Sequence, residues 1–282
     1  MLAYILTFLS FIYYLTGSSL LYLSLHDNAW DLGIFNQVLY NSASGNPFAY
    51  SFRSFGNYLG DHFSPILLFI APLSAFKTSL PILAVQAGGL ALSVLVLYLL
   101  AKELLKNKWL SLAVAFSFAI NPFTLNIVNF DFHPDFAFPL FFFTAFYFLI
   151  KKRYRLTFIC IVLLQLVRED AFLLIVPFCF VAFFGLKKVY PFQKDKPSRK
   201  LAVLCLVFTL IYSACVILVI MPLLRDGGSS PLAEHYPYLG RSLGEIGLNI
   251  IKNPLMVVQK LLGVQERTTI LKFFGSTGFL AL

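Results

Sequence analysis

Four uncharged, apolar runs dominate the sequence, at residues 2–25, 81–101, 109–128 and 201–224. Each run reaches the roughly 20 residues that a helix needs to cross the hydrocarbon core of a bilayer. Charged residues make up only 12% of the chain and its mean hydropathy is +0.80, whereas about a quarter of the residues in a soluble domain are charged. We therefore predict an all-α, polytopic integral membrane protein in which at least four helices span.

Basic residues are concentrated in three short runs between apolar segments, at residues 102–108, 151–155 and 187–200. Loops rich in Lys and Arg stay on the cytoplasmic side of a membrane. This rule predicts a cytoplasmic N-terminus and cytoplasmic basic loops in an inner or plasma membrane. Because topology accounts for the net charge of +9, we expect no nucleic-acid partner.

The remaining segments fit a single transmembrane domain over residues 1–282. A long outer loop covers residues 26–80, and a further helix is predicted at 136–150. Segments 156–167 and 171–186 are short and flanked by basic residues, which favours a helical hairpin.

Three shorter stretches carry further expectations. The apolar run 65–76 is too short to span, so we expect it to be interfacial or re-entrant. The final run, "ILKFFGSTGFLAL", is also too short, which predicts that the sequence stops inside a helix, as a C-terminally truncated fragment would. The small residues of "AGGLALS" favour close helix packing.

With this topology the acids and histidines gather on the outer side, an asymmetry that the positive-inside rule does not require. In the first outer loop, a helix over "HDNAWDLGIFNQVLY" would place Asp27 and Asp31 one turn apart. Its apolar stripe, which includes Phe35 and Val38, could lie on the membrane surface. Chemistry on the outer face is one explanation for the asymmetry.

Three short motifs carry most of these polar residues, and each also has a purely structural explanation. "NFDFHPDF" contains Asp131, His133 and Asp135, of which Asp135 could simply cap the next helix. "GDHFSP" pairs Asp61 with His62, which could bind a divalent metal ion, orient an imidazole toward a phosphate, or only form a turn.

The third motif, "VRED", places ionisable groups at the apex of the predicted hairpin. Arg168 and Glu169 could form an ion pair while Asp170 caps a helix. Alternatively, Arg168 could bind an anion in a cavity where carboxylates hold it. The depth predicted for the apex favours the functional interpretation.

The motifs "WDLGIFNQVLY", "NYLGDHFSPILLFIAPL", "NFDFHPDFAFPLFF" and "LVREDAFLL", in this order, resemble those of the membrane proteins called domain of unknown function 2079. The resemblance runs from about residue 27 to the end. The sequence departs from that pattern at Arg168, where the family has Lys, and at Asp135, where it usually has Glu.

This family is grouped with the C-type glycosyltransferase superfamily, so the resemblance implies a C-type glycosyltransferase-like helical bundle. It implies inverting transfer of a hexose or pentose from a polyprenyl-phosphate donor to an unknown acceptor on the outer face, at a membrane lipid surface. Asp31 would be the catalytic base, and the groups that would contact substrate or phosphate are Arg53, His62, His133 and Arg168. The supporting acids would be Asp27, Asp61, Asp131, Asp135, Glu169 and Asp170.

No cofactor is required by this hypothesis, although a divalent metal ion at Asp61, His62 and His133 is compatible with it. The alternative function is a transporter or lipid-handling protein that uses Arg168, Glu169 and Asp170 as its polar site. A transporter needs charged groups near the middle of the membrane and access from both faces. Convergence of Asp31, His62, His133 and Arg168 on one outward cavity would favour the enzyme.

Overall fold

The computed structural model describes residues 1–26, 29–185, 196–225, 238–240, 243–263, 267–268 and 271–272. About 80% of the structure is helical, and the described residues contain no strand, so the prediction of an all-α membrane protein is confirmed. The described residues form two compact units, Met1–Met221 and Pro222–Leu282. The prediction of one domain over the whole chain stays a prediction.

The first unit begins with α1 (Leu2–Leu23) and continues through the outer loop with α2 (Ala29–Ala43), α3 (Tyr58–Asp61) and α4 (Leu67–Ile70). After a 3₁₀ turn at Ala71–Phe76, the chain forms α5 (Leu80–Leu105), α6 (Lys108–Ala119) and α7 (Pro122–Asn129). A second 3₁₀ turn, Pro134–Phe136, leads into α8 (Ala137–Ile150), which α9 (Tyr154–Gln165) follows.

A third 3₁₀ turn, Glu169–Ala171, joins α9 to α10 (Phe172–Phe184). The helix α11 (Lys196–Cys215) continues through a π-helical turn, Val216–Ile220, into α12 (Met221–Leu224). The second unit contains α13 (Leu243–Lys252) and α14 (Pro254–Leu261).

Three described helices are long and apolar enough to cross a membrane: Leu2–Leu23, Leu80–Leu105 and Lys196–Leu224. The fourth predicted span, 109–128, is instead two helices, α6 and α7, bent by 43°. Pro122 starts α7, and the side chain of Asn121 caps it by accepting the amide of Phe123. Among the described residues the candidate spans therefore number three, or four if the bent pair crosses as one.

The bend is held from α1, because the hydroxyl of Tyr14 donates to the carbonyl of Ala119 at 2.6 Å. A proline and a new cap interrupt the helical hydrogen bonds at this point. A backbone carbonyl without a partner in a membrane interior costs several kcal/mol. Tyr14, which is only 1% exposed, thus stabilises the break between α6 and α7.

The helix α5 is central to the first unit, since α1, α6 and α8 all pack against it. Gly89 makes one of these contacts possible, because a Cβ atom there would lie 2.4 Å from Cδ2 of Phe136. The prediction that small residues permit close packing in this helix agrees with that contact. A second core lies farther along the chain, among α8, α9, α10 and α11.

The loop between α1 and α5 packs into the first core. Phe35 and Val38 of α2 are 3% and 0% exposed, and α2 contacts α4 and the Ala71–Phe76 turn. The expectation that this stripe could lie on the membrane surface is wrong for these residues, because the loop covers them with its own apolar segments. Two large rings of α2, Trp30 and Tyr40, remain exposed.

Candidate functional site

The loop before α3 forms a compact turn around Asp61. An isolated antiparallel bridge joins Ala49 to Asn57, and the side chain of Asn57 caps α3. Asp61, at the end of this one-turn helix, accepts a hydrogen bond from the hydroxyl of Tyr50 at 3.1 Å. Arg53 Nε lies 3.5 Å from the same carboxylate oxygen. Burial raises the pKa of Tyr50, as does the charge of Asp61, so its hydroxyl stays a donor.

His62 and Phe63 connect this loop to the segment after α9 through Glu169. His62 Nδ1 lies 3.0 Å from Glu169 Oε1, and the amide of Phe63 donates to Glu169 Oε2 at 2.8 Å. A backbone bond from the amide of Ile66 to the carbonyl of Leu166 joins the same two segments. One carboxylate therefore holds both the imidazole and the backbone beside it.

The interaction between His62 and Glu169 favours the charged form of each side chain. Burial lowers the pKa of His62, but the hydrogen bond and charge of Glu169 outweigh burial, and the net pKa lies above 6.5. Burial raises the pKa of Glu169, but the hydrogen bond and charge of His62, together with backbone hydrogen bonds that include the amide of Phe63, lower the pKa on balance below 4.5. The pair is thus an imidazolium and a carboxylate at mildly acidic pH.

Arg168 is held between two acids. Its Nη1 contacts Asp135 Oδ1 at 2.5 Å, and its Nε and Nη2 form a two-pronged contact with Asp170 at 2.9 and 2.5 Å. The guanidinium also lies 5.8 Å from the ring centre of Phe138. Burial lowers the pKa of Arg168, but the three neighbouring acids, Asp170 foremost, raise it on balance. Arg168 thus joins the start of α8 to the start of α10.

The "NFDFHPDF" segment is held by a buried glutamine that the sequence analysis did not select. The amide nitrogen of Gln86, on α5, donates to the carbonyls of Ile127 and Asp131 at 3.1 and 3.2 Å. Its carbonyl oxygen accepts from the amide of His133 at 2.8 Å. Gln86 is 1% exposed, so three bonds from the core fix the turn before Asp135.

A row of four rings joins the two histidines. The ring of His133 lies 5.2 Å from that of Phe35, and Phe35 lies 5.7 Å from Tyr58. Tyr58 is 6.2 Å from His62. Burial raises the pKa of Tyr58, and the charges of Glu169 and Asp135 raise it further, so this phenol stays neutral within the cluster.

The predicted site residues fall into three groups. His62 contacts Glu169, and the adjacent Arg168 contacts both Asp135 and Asp170. We call these five residues the ionic cluster. Asp61, which precedes His62 in the chain, forms a separate ion pair with Arg53. The ring of His133 is connected to that of His62 through the rings of Phe35 and Tyr58.

Two of the other predicted acids, Asp31 and Asp131, lie on α2 and in the turn after α7. Asp31 is half-buried in the first turn of α2, one turn before Phe35 and on the same helix face. Asp131 is buried, at 4% exposed. Asp27 lies outside the described residues.

A divalent metal site at Asp61, His62 and His133 does not form within the described part of the chain. No group of three or more His, Cys, Asp or Glu side chains is arranged there to hold a metal ion. The rings of Tyr58 and Phe35 lie between His62 and His133, so the two histidines stand at opposite ends of the row of rings.

Sequence reasoning missed Gln86, Tyr50 and Tyr58. A glutamine inside an otherwise apolar span is a usable signal, because a polar side chain at that depth needs partners. The tyrosines carry no such signal, since an aromatic residue in an outer loop is common.

Together, the apolar spans and the ionic cluster define a polytopic helical membrane protein with a polar site between its helices and its first loop. The family described as "Predicted membrane protein (DUF2079)" matches residues 21–282. The chain therefore belongs to the DUF2079 family of predicted membrane proteins. No curated protein and no solved structure matches it.

Proposed function

We propose that this protein is a glycosyltransferase that transfers a sugar from a polyprenyl-phosphate donor to an acceptor hydroxyl on the extracytoplasmic face. The observation that carries the proposal is the ionic cluster, in which His62 of the first loop contacts Glu169 after α9 and the adjacent Arg168 contacts Asp135 after α7.

The leaving phosphate needs a positive partner, and the contacts favour His62 over Arg168 for that role. Arg168 is already bound by Asp135 and Asp170, which neutralise it. Of the two ring nitrogens of His62, Nδ1 is hydrogen-bonded to Glu169, and Nε2 has no hydrogen bond within the described residues. The His62 side chain is 47% exposed. An imidazolium held by Glu169 can donate its Nε2–H to a phosphate oxygen as negative charge develops there.

The reaction would be a single inverting displacement. The acceptor oxygen forms a bond to the anomeric carbon as the bond from that carbon to the phosphate oxygen breaks, and the electron pair leaves with the phosphate. The acceptor proton passes to Asp31, which acts as general base. Asp31 lies on the face of α2 that reaches the row of rings through Phe35.

The experiment is a transfer assay on the purified full-length protein in nanodiscs. Polyprenyl-phosphate-linked hexoses and pentoses are supplied in turn, and release of polyprenyl phosphate is measured. A positioned base contributes about 10²–10⁴-fold to a rate, so Asp31→Asn should lower release by at least about 10²-fold. Lys200→Gln, an exposed change on α11, is the control and should keep full activity.

The pH profile adds an independent test. Activity should require deprotonated Asp31 and protonated His62, so it should decline as the pH rises through the pKa of His62, which lies above 6.5. His62→Gln should remove that decline together with most of the activity. A variant Asp31→Asn with unchanged turnover would eliminate Asp31 as the base.

The transporter alternative makes a different prediction. In that case no donor would be consumed, and the protein in sealed liposomes would carry a solute or ions in a manner that Arg168→Gln abolishes. The paired state of Arg168 with Asp135 and Asp170 supports a fixed structural cation more than one that releases a substrate in each cycle.

A further inference from the structure

A lipid-facing groove lies between α1 and α6, away from the ionic cluster. Both helices pack on α5 and leave between them a cavity of about 390 Å³. Leu6 and Leu9 line it from α1, and Leu112, Ala113 and Phe116 line it from α6. Leu9 and Phe116 are 58% and 51% exposed. The walls are therefore hydrocarbon and open to the membrane.

One end of the groove is polar. A second cavity of about 200 Å³ adjoins it and shares Leu2, Trp109 and Leu112 with it. Met1, with its N-terminal amino group, Tyr98 and Lys108 also line this second cavity. Asn107 caps the start of α6 by accepting the amides of Trp109 and Leu110. The first turn of α6, which carries Lys108 and Trp109, is thereby held in place.

Lys108 is the cationic side chain among the residues that line this second cavity. The nearby Glu103 is occupied by Lys106 and Lys151, at 3.3 and 2.6 Å. Within the described residues Lys108 has no carboxylate partner, and its Nζ lies over the ring of Trp109 at 5.3 Å from the centre. Tryptophan and lysine at the end of a span are typical of the level of lipid headgroups.

We propose that this groove binds an anionic phospholipid, with an acyl chain along α1 and α6 and the headgroup phosphate at Lys108. The shape supports this ligand, because an apolar channel with one polar, cationic mouth matches a molecule with a hydrocarbon tail and a negative head. The charge selects the lipid class, since a zwitterionic headgroup has no net charge for an uncompensated lysine to neutralise.

Trp109 provides a direct measurement, because the chain contains only two tryptophans and Trp30→Phe leaves Trp109 as the single one. This variant is reconstituted in phosphatidylcholine bilayers that contain a small fraction of lipid with brominated chains, which quench indole fluorescence on contact. Brominated phosphatidylglycerol is compared with brominated phosphatidylcholine at equal mole fraction. A lysine near the surface contributes about 1 kcal/mol toward an anionic lipid, which corresponds to a preference of about fivefold.

Three substitutions test whether Lys108 causes the preference for the anionic lipid. Lys108→Gln should abolish the preference, Lys108→Arg should retain it, and Lys200→Gln should leave it unchanged, because Lys200 lies on α11. Lys108 is exposed, so these changes should preserve the elution profile of the protein. Equal quenching by the two lipids would show ordinary boundary lipid and overturn the proposal. Absence of quenching by either lipid would show that protein, such as a second copy of the chain, covers the groove, and would also overturn it.

Discussion

Glu169 and His62 are 107 positions apart in the chain, and their side chains meet at 3.0 Å. The same carboxylate accepts the amide of Phe63. This pair connects the first outer loop to the segment between α9 and α10, so its titration should be visible in the stability of the protein.

Each partner of this pair stabilises the fold over its own pH range. The folded pKa of His62 is raised above 6.5, so its contribution is complete below about pH 6.5 and is lost as the pH rises through the folded pKa. The folded pKa of Glu169 is lowered below 4.5, so its contribution is complete above about pH 4.5 and is lost as the pH falls through the folded pKa. The pair should stabilise most between these two values.

A double-mutant cycle of His62→Gln and Glu169→Gln measures how the stabilisation by this pair depends on pH. Because the imidazole is partly exposed, we expect a coupling free energy of about 0.5–1 kcal/mol near pH 5.5. It should shrink at alkaline pH, as measured by SDS unfolding in mixed micelles. A coupling that is independent of pH from 5 to 9 would contradict the assignment of His62 as the titrating partner.

Gln86 should be necessary for the position of the "NFDFHPDF" turn. Gln86→Leu leaves the amide of His133 and the carbonyls of Ile127 and Asp131 without their core partner. We expect a loss of about 2–4 kcal/mol, because unpaired buried groups cost about 1–3 kcal/mol each and part of the loss is recovered by relaxation.

Gln165 is the matched control for this change. It too is a fully buried glutamine in an apolar helix, but its amide atoms have no hydrogen-bond partner among the described residues. Gln165→Leu should therefore be neutral or stabilising in the same unfolding measurement. Equal destabilisation by the two substitutions would show that helix packing, and not the three hydrogen bonds, determines the effect.

Gly89 should not tolerate a methyl group. In Gly89→Ala the Cβ atom would meet the ring of Phe136, which is only 6% exposed, and overpacking of a core costs about 1–3 kcal/mol. At the adjacent Gly88 the closest atom, on Phe11, is 3.8 Å away. Gly88→Ala should thus gain up to about 1 kcal/mol from helix propensity. Relative to the wild type, we expect a lower thermal unfolding midpoint for Gly89→Ala and a higher one for Gly88→Ala. A stabilised Gly89→Ala would contradict the close contact with Phe136.

Tyr14 should stabilise the bend between α6 and α7. Tyr14→Phe keeps the ring but leaves the carbonyl of Ala119 without its donor, so we expect a loss of about 1–3 kcal/mol. Tyr13→Phe, which changes a ring that is 62% exposed, should have little effect on the SDS unfolding midpoint. If Tyr14→Phe is as stable as the wild type, water or another donor satisfies that carbonyl.

The sequence was sufficient to predict the class of the protein, because charge-free runs of spanning length have few other solutions. It also located the motifs of the ionic cluster. The uncharged, apolar composition of the run 109–128 concealed the break at Asn121 and Pro122, because a bent pair of helices can have the same composition as one straight span. A proline beside a strong capping residue was the available signal.

The pairings within the cluster could not be predicted. The structural interpretation of "VRED" paired Arg168 with Glu169, its neighbour in the chain. Arg168 instead contacts Asp135 and Asp170, and Glu169 contacts His62. Nothing in the spacing of these residues encodes which acid meets which cation, because three separate segments must first be packed together. For the same reason, the apolar stripe of α2 gave no sign that the outer loop would bury it.

The three hydrogen bonds of Gln86 also bear on the order in which the protein is assembled. The turn at residues 127–133 takes its backbone partners from a helix that is synthesised some 40 residues earlier. We therefore expect this turn to remain unfixed until α5 has been inserted and has met its neighbours. Asp135 would then reach Arg168 only when α8 and α9 are also in place. The ionic cluster would thus be completed only after the helices that carry it have packed together.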